Sequence, residues 1–242
     1  MKRELFQALQ TARAEKLPAA LVTDLTDGRQ ALIVGGARRA GELDPGSEVL
    51  AAAAEALRHN RGGRLPEPHE GLFVAVFNPP LRLVIVGAVH IAQALAPMAV
   101  LAGYDVTVVD PRHAWATEER FPGQAVLDDW PDEALAKLAP DSRTAVVTLT
   151  HDPKLDDPAL RGALASEAFY LGALGSRKTH AKRLERLRAA GCAEPELARI
   201  HGPIGLPLGG RSPAEIAIAV LAQMTQVLHG TAPPAPRAEA AE

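Results

Sequence analysis

Apolar and polar positions alternate in two styles along this chain, and the change falls at Pro79-Pro80. Ahead of that pair, Leu5, Phe6, Leu9 and Ala12 recur at helical spacing, which predicts an amphipathic helix over residues 2–15, ended by Pro18. The apolar runs 20–24 and 30–34 flank Thr26-Asp27-Gly28-Arg29, and Asp-Gly between such runs predicts a hairpin. Ser47 reads as the cap of a helix through about His59, stopped by Asn60, Gly62 and Gly63, with a further strand over residues 72–77. Residues 1–78 are therefore expected to form a small N-terminal α+β lobe.

Beyond the prolines, short apolar runs alternate with helical stretches, the βαβ pattern of a parallel sheet. Residues 83–86 read as a buried strand that runs into Gly87-Ala88-Val89-His90-Ile91-Ala92 and a helix to about Ala102, closed by Gly103. A second strand over 105–109 ends in Asp110. Further strands are expected at 144–149 and 168–171, and helices at 158–166 and 179–190, the latter stopped by Gly191. Ser212-Pro213-Ala214-Glu215 supplies a cap, a first-turn proline and a reciprocating acid ahead of a helix over 216–228. One domain is expected over 79–229. The tail 230–242, rich in Pro, Ala and Glu with nothing to bury, is expected to be disordered.

Strand, glycine turn, helix, strand and acid together reproduce the opening of a dinucleotide-binding unit, with Asp110 at the spacing of the acid that accepts from a ribose hydroxyl. The predicted fold class is α/β, a Rossmann-like mostly parallel sheet with the small α+β lobe in front. The fingerprint G-x-G-x-x-G/A is met at Gly87 and Ala92, but Val89 replaces the glycine that lets backbone approach a pyrophosphate. Two readings stay open. The turn carries no nucleotide, or a phosphate-bearing cofactor other than NAD in its usual pose sits on the free N–H groups and dipole of the helix.

Composition narrows the choice of partners. A chain of 242 residues, 47% hydrophobic, can bury one core plus a small appended one. A net charge of −3 with no long basic run offers no footprint for nucleic acid or anionic lipid. No stretch approaches eighteen apolar residues and the start is amphipathic, so a cytoplasmic protein without a membrane span is expected. The only cysteine, Cys192, excludes an internal disulfide and a cysteine-rich metal site.

Four further segments offer chemistry. His90, in the first turn of its helix, could donate to a phosphate. Arg112, two residues past Asp110, could pair with a phosphate or simply neutralise the acid, and Arg120-Phe121-Pro122 follows. Thr150-His151-Asp152, with Asp156 close by, could relay a proton, bind a metal, or form an ordinary turn and cap; with no further His or Cys ligand, a metal is not expected. Gly172-Ala173-Leu174-Gly175-Ser176-Arg177-Lys178 is a second glycine-rich turn, with caps in Ser176 and Thr179 and positive charge in Arg177 and Lys178, and reads as an anion site. His201-Gly202-Pro203-Ile204-Gly205 reads as a stiff, shaped wall.

In order, Gly87-Ala88-x-His90, Asp110-x-Arg112, Arg120-Phe121-Pro122, Thr150-His151-Asp152, Tyr170 to Arg177, Pro203-Ile204-Gly205 and Ser212 to Ala217 resemble the XdhC/CoxI family over about residues 79–229. The resemblance implies an accessory protein for molybdenum hydroxylases of the xanthine or CO dehydrogenase type. Such a protein would bind molybdenum cofactor, as molybdopterin or its dinucleotide, assist its sulfuration and deliver it to the apo-enzyme. It would be a chaperone more than a metabolic enzyme. Carried over by position, the pocket would comprise Gly87, Ala88, His90, Asp110, Arg112, Gly172, Gly175, Ser176 and Arg177, with His151 and Asp152 as candidates for any chemistry. Partners implied are the apo-hydroxylase and a cysteine desulfurase, and a homodimer is the ordinary prior for such a fold. The chain departs from the family pattern at Val89 and in an N-terminal lobe that reads as shortened. The rival readings are an NAD(P)-dependent oxidoreductase and a nucleotide-binding regulator.

Overall fold

A computed structural model of the chain describes residues 2–230. It divides into two compact units, with the boundary between Pro79 and Pro80.

The first unit opens with α1 (Arg3–Ala14), which buries Leu5, Leu9 and Ala12 on one stripe. Strands β1 (Ala19–Asp24) and β2 (Gln30–Val34) form the expected antiparallel hairpin. Its loop is shaped by Asx contacts from Asp24 to the Thr26 N–H and from Asp27 to the Arg29 N–H, both 2.9 Å. A second hairpin, absent from the sequence reading, leads to β3 (Ala37–Gly41). Gly35 and Gly36 make its two-residue loop with φ of 61° and 78°, the paired positive values such a turn demands. Helix α2 (Ser47–Arg58) has Gly46 at its cap position, so Ser47 lies inside the helix and caps nothing. Short β4 (Gly63–Arg64) and β5 (Leu72–Phe77) complete a five-stranded antiparallel sheet in the order β3-β2-β1-β5-β4.

The second unit is a six-stranded, wholly parallel sheet. In chain order it comprises β6 (Leu81–Val86), α3 (His90–Leu101), β7 (Tyr104–Val109), β8 (Ala125–Leu127), α4 (Pro131–Leu138), β9 (Thr144–Thr148), α5 (Pro153–Leu164), β10 (Tyr170–Ala173), α6 (Arg177–Ala189), α7 (Glu194–Leu197), β11 (Ile200–His201) and α8 (Pro213–Leu228). Strand order β11-β10-β9-β6-β7-β8 is the doubly wound arrangement, in which the chain leaves at one edge and restarts beside β6. Alternate side chains of β6 explain the two faces. Leu83 and Ile85 join Leu95 and Ala99 of α3 and Val220 and Met224 of α8 in one core. Val84 and Val86 join Leu135 of α4, Leu160 of α5 and Leu187 of α6 in another.

Several boundaries differ from the sequence reading. Helix α5 begins five residues earlier than Pro158, because Asp152 caps it by accepting from the Lys154 N–H at 2.9 Å. Strand β10 is shifted toward the glycine turn, and α6 starts at Arg177 because Ser176 is its cap. β8 and α7 are too short to show a period, and α4, with Pro131, Ala134 and Leu135 on its buried side, is a helix of only 8 residues that the sequence reading passed over. The capping box of Ser212 and Glu215 stands at the start of α8 as read. The tail expected to be disordered lies, beyond Gly230, outside the described residues.

Candidate functional site

Strands β6 and β9 are neighbours whose following helices pack on opposite faces, so the loops at their carboxyl ends part and leave the crevice in which such sheets hold ligands. Three of the sequence-predicted segments meet around it.

Gly87 follows β6 with φ 110°, a value L side chains avoid. A Cβ there would stand 2.6 Å from Thr150 Cγ2, so the glycine lets the β6 and β9 loops touch. The next residue is braced from both sides. The Ala88 N–H donates to Asp110 Oδ2 at 2.8 Å, and its carbonyl accepts from Arg120 Nη1 at 2.8 Å. Arg120 also donates to the Trp115 carbonyl and to Gln93.

Asp110 is fully buried. Its Oδ1 accepts from the Arg112 N–H at 3.0 Å and Arg112 Nε at 2.8 Å; its Oδ2 accepts from Ala88 and from Arg112 Nη2 at 2.6 Å. Those four bonds fill the carboxylate's four lone-pair positions, so the ribose role suggested by spacing finds no free acceptor. Asp110 braces the turn instead, and Arg112 neutralises it. Burial pushes the Asp110 carboxyl up, but the Arg112 side chain and the Ala88 and Arg112 N–H groups outweigh it and hold the group below the ordinary carboxylate value. Arg112 and Arg120 also stand 5.2 and 5.1 Å from the ring of exposed Trp115, a paired cation–π contact.

Val89, in place of the middle glycine, is the cap residue of α3, with extended backbone and its side chain packed against the core. It offers no side-chain cap, so the first N–H groups of α3 have no cap acceptor. His90 opens α3, exposed, with Nδ1 3.3 Å from Gln93 Oε1.

The loop after β9 meets this turn on one side and α5 on the other. Thr150 touches Gly87 on one side and, on the other, donates from Oγ1 to Asp156 Oδ1 at 2.6 Å. His151 takes a left-handed backbone, φ 62°, uncommon outside glycine, and its ring is exposed. Asp152 spends one carboxylate oxygen on the α5 cap. Asp156 is 1% exposed, and burial raises its carboxyl above the ordinary value despite Thr150 and Arg183 beside it. Among the described residues no group of three or more His, Cys, Asp or Glu is placed to hold a metal.

At the second turn Gly175 has φ 145°, and a Cβ would crowd Thr179 at 3.1 Å. Ser176 accepts from the Thr179 N–H at 3.1 Å, which satisfies one donor of α6 and leaves the N–H groups of Arg177 and Lys178 in the first turn. The Arg177 side chain is exposed beside them. Gly172 does not belong to this turn. It lies buried in β10, where a Cβ would meet Ile204 Cδ1 at 2.5 Å, so it makes room for the Pro203-Ile204-Gly205 wall. Gln223 pins that wall by accepting from Tyr170 Oη and from the Gly205 N–H.

The sequence reading missed Arg183. It is 1% exposed and reaches across to Asp156 Oδ2 at 3.4 Å and the Leu174 carbonyl at 2.7 Å. Its one trace in the sequence is its place a turn before buried Leu187 on a helix with few apolar residues.

The chain is similar to proteins known by structure and by sequence. A crystal structure of a xanthine dehydrogenase from Bacillus halodurans shares the fold, with a TM-score of 0.74 at 24% identity over 95% of this chain and 68% of that one. Relatives by sequence include three curated proteins. An uncharacterised protein of Escherichia coli K12, YqeB, is 34% identical over 174 residues, 72% of this chain and 31% of its own. The E. coli K12 molybdenum cofactor insertion chaperone PaoD is 34% identical over 155 residues, 64% of this chain and 42% of its own. A probable xanthine dehydrogenase component of Bacillus subtilis 168 is 30% identical over 156 residues, 64% of this chain and 45% of its own. The chain thus spans less than half the length of each of these relatives. The profile of the XdhC Rossmann domain matches residues 83–224, more than half of the sequence, and the chain belongs to the XdhC family.

Proposed function

We propose that this protein is a maturation factor for a molybdenum hydroxylase: it binds molybdenum cofactor at the carboxyl edge of its parallel sheet and passes it to the apo-enzyme. The observation that carries the reading is the meeting of the β6–α3 and β9–α5 loops at Gly87 and Thr150, with Asp156 linking Thr150 to Arg183, which holds the Leu174 carbonyl of the β10–α6 loop, in a chain whose relative PaoD is a cofactor insertion chaperone. Molybdopterin carries a phosphate, or a pyrophosphate in its dinucleotide form, on a planar polar ring system. The uncapped N–H groups of α3 and those of Arg177 and Lys178 in α6 suit the phosphates, and the Arg177 side chain adds charge. When bound, the cofactor supplies the molybdenum redox centre of the recipient enzyme; the chain's own part is to hold, shield and release it.

In this reading Gly87 and Ala88 set the shape of the first turn, Asp110 and Arg112 brace it, and His90, Ser176 and Arg177 face the cargo. His151 and Asp152 border the cargo at the loop between the two turns. Assistance to sulfuration, with a cysteine desulfurase as donor partner, cytoplasmic residence and a homodimeric state belong to the same proposal. No helix among the described residues is long and apolar enough to cross a membrane. The division of labour expected is a small lobe over 1–78 and a cofactor-binding domain over 79–229.

The NAD(P) oxidoreductase reading loses its main support, because the acid that would take the ribose is saturated by its own chain. Reconstitution tests the proposal. Apo-hydroxylase incubated with limiting cofactor should gain activity several-fold faster with this protein than with albumin, and equal rates would refute the chaperone role.

A further inference from the structure

Beside the candidate site, α5 and α6 enclose a cleft of about 160 Å³ lined by His151, Pro153, Asp156, Lys178, Thr179, Lys182, Arg183 and Arg186. Its charge is lopsided. Arg186 is satisfied by a two-pronged pair with Asp157, at 2.6 and 2.9 Å, but Lys178 and Lys182 form no ion pair among the described residues. At the floor, the buried guanidinium of Arg183 uses Nη2 on the Leu174 carbonyl and, at a long 3.4 Å, on Asp156. Its Nε and Nη1 are buried and find no acceptor among the described residues. A buried cation with two unsatisfied donors is costly unless another group supplies acceptors. The one carboxylate within reach is a poor candidate, since Asp156 already accepts from Thr150 and burial raises its carboxyl.

We propose that the α5–α6 cleft is an oxyanion site that seats a phosphate group, with Arg183 as its floor and Lys178 and Lys182 as its rim. The volume suits that choice: it is well below the roughly 300–1,000 Å³ of a pocket that encloses a whole drug-sized ligand, so only the anionic end of a larger molecule would enter. Guanidinium donors and mobile ammonium groups are the set that recognises tetrahedral oxyanions. The site does not rest on the molybdenum cofactor reading, because its ligand is defined by the phosphate alone.

The test is calorimetric titration of the whole protein at low ionic strength with inorganic phosphate and, in parallel, with AMP. Saturable binding is expected. The Lys178→Ala, Lys182→Ala double variant should weaken it at least tenfold, and Arg183→Lys, checked for folding by circular dichroism, should weaken it similarly while keeping the charge. Arg161→Ala, which removes a positive charge from the far end of α5, should leave it unchanged. AMP binding at least as tightly as phosphate assigns the site to the phosphate end of a larger ligand, and exclusion of AMP assigns it to the free anion; both support the site. It is overturned if neither probe saturates, if the lysine variant binds normally, or if Arg161→Ala weakens binding as much as the lysine pair.

Discussion

Gly87 carries two constraints at once, a positive φ and the absence of a Cβ facing Thr150 Cγ2 at 2.6 Å. Gly87→Ala should therefore cost more than backbone strain alone, about 1–3 kcal/mol for the φ with the contact added. Part of that loss should return in a Thr150→Ser background, which removes Cγ2. Urea denaturation of the four proteins measures the coupling, and an equal cost in both backgrounds would show that the contact is immaterial. Asp110 gives a second prediction. Its folded-state pKa is depressed, so its contribution is present above the unfolded value near 4 and is lost as pH falls through the folded one. Asp110→Asn should lower stability at neutral pH by about 1–3 kcal/mol, with the ion-pair share reduced because Arg112 is partly exposed. Denaturation midpoints taken from pH 7 down to pH 3 should converge for the two proteins at the acid end. Parallel curves would contradict the assignment. Asp156 works with the opposite sign: its raised pKa favours the folded state at low pH, and that contribution fades as pH rises.

Helix starts decide how the loops are aimed, and their caps can be tested one by one. Ser212 accepts from the Glu215 N–H while Glu215 reaches back to the Ser212 N–H at 2.9 Å, a reciprocal box on a helix that starts outside the two glycine turns. Ser212→Ala should cost about 1 kcal/mol in thermal or urea unfolding and leave cofactor binding unchanged. Ser176→Ala should cost a similar amount but weaken binding too, because its helix end faces the proposed cargo. A Ser212 variant that also lost binding would contradict this division. The same elements show what the sequence made legible. Amphipathic α1, the Asp-Gly hairpin, the βαβ alternation and the Ser-Pro-Ala-Glu box each combine local chemistry with periodicity, and each is in the structure. Strand β8 and helix α7 are three and four residues long, too short for a period to declare itself. Helix α5 starts ahead of Pro158, because the Asp152 cap and Pro153 in the first turn fix its start. Site residues were legible as motifs but not as roles. Spacing located Asp110 and could not reveal that Arg112 and Ala88 consume it, and no motif marked Arg183, whose meaning lies in burial between two helices.

Among the described residues, each apolar core is contained in one unit: two lie within residues up to Pro79 and two beyond Pro80. Residues 80–230 should consequently fold alone, with cooperative unfolding and dispersed amide signals, and an unstructured fragment would show that the first unit is required. The family relationship places this chain among proteins that include a molybdenum cofactor insertion chaperone, and cargo binding is the claim on which the functional account turns. Anaerobic titration of the full chain with molybdenum cofactor, alongside NAD and NADP, tests it most directly, with the Ser176→Ala, Arg177→Ala variant as comparison. Saturable cofactor binding is expected, weakened at least tenfold in the variant, with no comparable binding of either dinucleotide. Binding of NAD or NADP with none of molybdenum cofactor would contradict it.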